Sequence, residues 1–68
     1  MIRISATDKN GQTATYRTND SLFGLFAGPD NRQLNCRQYR SIDDVKNTVR
    51  ALAHIEGLRG RLRWDIIR

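Results

Sequence analysis

Ile2-Arg3-Ile4-Ser5-Ala6-Thr7-Asp8-Lys9-Asn10-Gly11-Gln12-Thr13-Ala14-Thr15-Tyr16-Arg17-Thr18 decides the fold, because it holds two strand-like segments around one strong turn signal. In the first segment Ile2, Ile4 and Ala6 alternate with Arg3, Ser5 and Thr7, the period-two pattern of a half-buried strand. Closing the hairpin through a two-residue Asn10-Gly11 turn would set Ile4 opposite Arg17 and Ala6 opposite Thr15, mixing apolar and polar groups on one face. A three-residue loop, Lys9-Asn10-Gly11, with Gly11 in the left-handed bulge position, instead sets Ile4 opposite Tyr16 and Ala6 opposite Ala14. The sequence therefore predicts this second register, with Arg3, Ser5, Thr7, Thr13, Thr15 and Arg17 on the outer face.

Working outward, Asn19-Asp20-Ser21 and Gly28-Pro29-Asp30-Asn31 read as turns, the latter with Pro29 at its preferred position. Between and after them, Leu22–Ala27 and Gln33–Tyr39 are expected to form a second hairpin with Leu34 and Cys36 inward. A short helix capped by Asp20 or Ser21 competes for the first of these, since six-residue apolar runs are ambiguous in period. Ser41 is a good N-cap, and Asp43 and Asp44 place carboxylates at the positive end of a helix. Apolar residues recur at Ile42, Val45, Val49, Leu52 and Ala53, and Gly57-Leu58 supplies a left-handed stop followed by a hydrophobic residue. The helix is expected over Ile42–Glu56. In the tail, Leu62, Trp64 and Ile66 alternate with Arg61, Arg63 and Asp65, which predicts a closing strand over Arg61–Ile67 with a buried indole. The expected fold is α+β: a small antiparallel sheet of about four to five strands, packed on one face by a single helix at about residues 42–56, in one domain covering residues 1–68.

The bulk composition is compatible with that reading. Hydrophobic residues make up 38% and charged residues 28% of the chain, the range of ordinary folded domains. A domain of this size buries only about 60% of the surface its unfolded chain exposes, so association with a partner or a second copy is expected to help it. No apolar run approaches the roughly 18 residues of a membrane span, and the start lacks the pattern of a secretory signal. A lone Cys36 offers no internal disulfide. These features predict a cytoplasmic protein with no membrane contact.

Candidate chemistry is sparse. His54 is the only histidine and has no readable acid or nucleophile partner, while Cys36 lacks an evident activating base. One cysteine, one histidine and scattered carboxylates provide no metal-ligand spacing, and Asp43 and Asp44 are adjacent, so they do not share a helical face. The pairs Gly24/Gly28 and Gly57/Gly60 lack both the Walker lysine and the dinucleotide spacing. No catalytic residue, metal or cofactor is predicted.

Charge is the more informative signal. The formal net charge is +5, and of the twelve basic residues only Lys9 and Lys46 are not arginine. Guanidinium forks suit phosphate and carboxylate recognition. Leu58-Arg59-Gly60-Arg61-Leu62-Arg63-Trp64-Asp65-Ile66-Ile67-Arg68 concentrates them. If the closing strand joins the first hairpin, Arg61 and Arg63 share an exposed face with Arg3 and Arg17, and Arg59 and Arg68 flank it. These six arginines are the candidate binding residues. Tyr16 and Trp64 are expected to point inward, so the sequence offers this face no aromatic platform for stacking bases. Leu22, Phe23, Leu25 and Phe26 cannot all face one core, which marks them as a candidate protein interface, in a homodimer or with another protein.

No motif of a known family is present. The element order is similar in its economy to small phage or mobile-element proteins that inhibit host machinery, a likeness of layout alone. The expected function is a non-catalytic binding module whose arginine-rich sheet face engages an anionic partner, either nucleic acid or an acidic protein surface. Two rivals stand beside it: an inhibitor or adaptor binding a host protein through Leu22–Phe26, and a small ribonuclease toxin built on Arg, Tyr and Lys.

Overall fold

The computed structural model describes all 68 residues as β1 (Ile2–Thr7), β2 (Thr13–Thr18), β3 (Phe23–Ala27), β4 (Arg32–Gln38), α1 (Ile42–Ile55) and β5 (Arg63–Ile67). The five strands form one antiparallel sheet in the order β4-β3-β2-β1-β5. The fold is α+β, with α1 against one face of the sheet.

The first hairpin has the register that the apolar alternation demands: Ile4 pairs with Tyr16 and Ala6 with Ala14. Gly11 takes φ 83°, a left-handed conformation that glycine adopts without steric cost. The loop carries a further device. Asp8, a buried carboxylate, accepts backbone N–H groups from Asn10 and Gln12 at 2.9 Å and from Arg59 at 3.1 Å. It thereby joins the β1–β2 loop to the segment leading into β5.

Helix α1 begins and ends where its signals lie. Ser41 Oγ accepts the Asp44 N–H at 3.3 Å, and the Asp44 carboxylate reaches back to the Arg40 N–H at 3.0 Å. At the other end Gly57 N–H donates to the His54 carbonyl and Leu58 N–H to the Ala53 carbonyl, the paired bonds of a Schellman stop. Glu56 is the C-cap and not a helical residue. Val45, Val49 and Ala53 are fully buried against Ile2, Ile4, Ala6, Tyr16, Leu25, Tyr39, Leu58 and Leu62.

The second hairpin forms as expected from β3 and β4, and the competing helix does not; the hairpin's start shifts, because Leu22 sits at φ 61° in the turn and the strand begins at Phe23. Three expectations need correction. Leu34 and Cys36 are exposed and not buried, Leu34 at the rim of the helix-side surface beside Tyr16 and Leu52. A helix is about 10–12 Å wide, whereas five strands spaced about 4.8 Å apart span about 19 Å, so one helix leaves much of the β4 edge uncovered, although Arg37 near the end of β4 bonds to Asp44 and Thr48 of α1. Two register irregularities between β3 and β4, around Leu25, also break the alternation there. Trp64 is half-buried, since β5 is the opposite edge; its ring lies 5.1 Å from Lys46 Nζ and 5.6 Å from the Arg50 guanidinium on α1. Finally, β5 begins at Arg63, leaving Arg61 in the preceding bend.

Candidate binding face

With α1 on one side, the other face of the sheet is left open. Three cross-strand rows organise it. The first runs across all five strands as Gln33, Phe26, Arg17, Arg3 and Ile67. The second is Thr15, Ser5 and Asp65, and the third is Thr13, Thr7 and Arg63. Hydroxyl pairs bridge the strands within the latter two, Ser5 to Thr15 and Thr7 to Thr13, each at 3.0 Å. Such cross-strand pairs stabilise the sheet in this register.

The arginines differ in their freedom. Arg3 and Arg63 are exposed and take part in no salt bridge, so their guanidiniums are available to a ligand. Arg17 is half-buried: its Nε donates to Asn31 Oδ1 and its Nη2 to the Gly28 carbonyl. It pins the β3–β4 turn under the face, yet two of its five N–H donors are used and the charge remains. Arg37, by contrast, is paired with Asp44 at 3.0 Å. Asp65 is the one carboxylate in the three rows, against three guanidiniums.

The remaining candidates scatter. Arg61 and Arg59 are exposed in the α1–β5 connection, where the Arg59 backbone serves Asp8, and Arg68 follows β5 at its end. In the apolar group, Leu25 is fully buried and cannot meet a partner, while Leu22 is half-buried and packs on the core. Phe23 is 40% exposed, and neither it nor Phe26 packs against the core cluster. Phe26 lies directly across from Arg17, which places it on the arginine face. Sequence reading missed this juxtaposition because Gly24, at φ 80°, interrupts the alternation of β3. A glycine inside a strand pattern is itself the signal of a bulge.

On the helix side, where α1 leaves β2, β3 and β4 uncovered, a cleft of about 490 Å³ is lined by Ala14, Tyr16, Ala27, Leu34, Leu52 and Glu56, among others. Burial, with the nearby Glu56 charge, raises the Tyr16 phenol above its ordinary range. No histidine or cysteine lines the cleft. No group of three or more His, Cys, Asp or Glu side chains could hold a metal ion, and no helix is long and apolar enough to cross a membrane. Comparison with known protein families, characterised proteins and solved structures finds no match to this chain.

Proposed function

We propose that the protein is a non-catalytic binding module that engages an anionic macromolecule with the open face of its sheet. The observation that carries this reading is the placement of Arg3, Arg17 and Arg63 on one uncovered face, two of them without an internal partner. The paired strands fix the backbone beneath these groups before a ligand arrives, so binding has only the side chains to order. Three charges against one carboxylate give the face a positive field that draws polyanions. The rival reading of a docking site at Leu22–Phe26 draws support from Phe23 and Phe26, which stay outside the core cluster, and not from Leu25, which is fully buried.

Salt dependence tests the proposal. Each phosphate neutralised on a single strand contributes about −0.7 to the slope of log K against log salt. The double variant Arg3→Ala/Arg63→Ala should flatten that slope by about 1.4 for two lost contacts, while Arg40→Ala/Arg50→Ala, with the same charge loss off the face, should change it far less. Equal effects of the two double variants would reduce the face to diffuse net charge.

A further inference from the structure

We propose that the anionic ligand is a single-stranded nucleic acid, whose phosphates meet Arg3 and Arg63 while one base stacks on Phe26. This rests on the binding-face reading above and adds the class of ligand. Two observations carry it.

The first is dimensional. The major groove of duplex DNA is about 12 Å wide and admits a helix or a two-stranded ribbon, whereas this face spans about 19 Å across five strands spaced about 4.8 Å apart. The open face cannot enter a duplex groove. The only helix is committed to the opposite side of the sheet, through buried Val45, Val49 and Ala53. A duplex could touch this face by its backbone alone. A single strand can lie across it.

The second is the company Phe26 keeps. It stands in the same row as Arg17 and Arg3, one strand from the former and two from the latter, so one aromatic ring is followed by two guanidinium groups across the sheet at strand spacing. Phe26 is half-buried and contributes nothing to the core cluster; its ring leans on the face that α1 does not cover. A flexible strand can turn an unstacked base onto such a ring while its backbone continues over the arginines, and every base has a π-face to offer. In a duplex those π-faces are already stacked on neighbouring bases. The hydroxyl pairs Ser5–Thr15 and Thr7–Thr13 supply neutral polar groups between the charges, with Asp65 at the β5 end of the first of these rows as the one carboxylate. An acidic protein surface could use the arginines and pack an apolar side chain on Phe26 as well; failure of oligo(dT) to bind would overturn the inference and point to such a partner.

The test is fluorescence anisotropy at fixed salt with three probes: labelled single-stranded oligo(dT), a duplex of the same length, and heparin, a polyanion without bases. The wild type should bind oligo(dT) at least tenfold more tightly than the duplex. Phe26→Ala should weaken oligo(dT) binding by about 5- to 150-fold, the loss of one base stack, and leave heparin binding unchanged; Phe26→Tyr should restore it. Melting curves of both variants establish that they fold, and Phe26→Tyr keeps the ring should Phe26→Ala prove unstable. Equal affinity for single strand and duplex, or an unaltered Phe26→Ala, would overturn the inference while leaving the anionic face standing. Failure of the reading beneath it looks different: Arg3→Ala/Arg63→Ala would then bind all three probes like the wild type.

Discussion

The Asp8 carboxylate accepts the backbone N–H of Arg59 at 3.1 Å, a bond that spans fifty-one positions of the chain. It ties the first loop of the sheet to the approach of its last strand, and so helps set where Arg63 enters the open face. Burial by itself would raise the Asp8 carboxyl; the N–H donors of Arg59, Gln12 and Asn10 and the nearby Lys9 charge outweigh it and hold the group below its ordinary value.

A carboxyl depressed in the folded state stabilises the fold above its unfolded pKa of about 3.9, and that contribution is lost as pH falls through the lower folded value. Asp8→Asn should therefore lower the melting temperature at pH 7 and flatten the acid limb of stability below about pH 4. Thermal melts from pH 7 to pH 2 check both. An acid limb as steep in the variant as in the wild type would place the titrating group elsewhere.

Ser41→Ala should destabilise the domain by about 0.5–2 kcal/mol, since it removes the acceptor for the Asp44 N–H, and leave ligand affinity unchanged. The denaturant midpoint reports the first effect and anisotropy the second. An unmoved midpoint would mean that Asp44, through its bonds to Arg40 and Arg37, anchors the helix start by itself.

Gly24 and Gly11 make a matched pair for mutation. Both have positive φ, but a Cβ on Gly11 meets open space, whereas one on Gly24 comes within 3.0 Å of Gln33 Nε2 and 3.2 Å of the Asn35 carbonyl oxygen. Gly11→Ala should cost about 1 kcal/mol for the left-handed backbone, and Gly24→Ala distinctly more, because β3 and β4 must also separate. Urea denaturation of the two variants measures the difference; equal midpoints would show that the β4 edge yields freely.

Trp64→Ala should cost less than the about 3–5 kcal/mol typical of a fully buried aromatic, because the indole is half-buried at the β5 edge and rests under Lys46 and Arg50. Chemical denaturation checks it. A loss at the top of that range would mean that the indole carries core packing despite its edge position.

How far these features can be read in the sequence follows from local physics. The hairpin register was legible because a one-residue slip would have put Tyr16 and Ile4 on opposite faces, and the helix because Ser41, the apolar stripe and Gly57 agree. Leu34 and Cys36 misled, since apolar character at alternating positions implies a covered strand only if something is there to cover it. The width of one helix against five strands decides that, and it is a property of the assembled sheet. The binding face was half legible. Alternation put Arg3, Arg17 and Arg63 outward, but placing Phe26 beside them required the β2–β3 pairing, which no short-range signal in Asn19–Ala27 specifies.

The most direct test of the open face as the binding surface is a nitrogen-15 NMR titration of the wild-type protein with single-stranded oligo(dT). The largest shift changes should fall on β1, β5 and the end of β3, at Arg3, Ser5, Arg63, Asp65 and Phe26, with α1 little affected. Changes concentrated instead on Leu52, Glu56 and Leu58, around the cleft on the helix side, would contradict it.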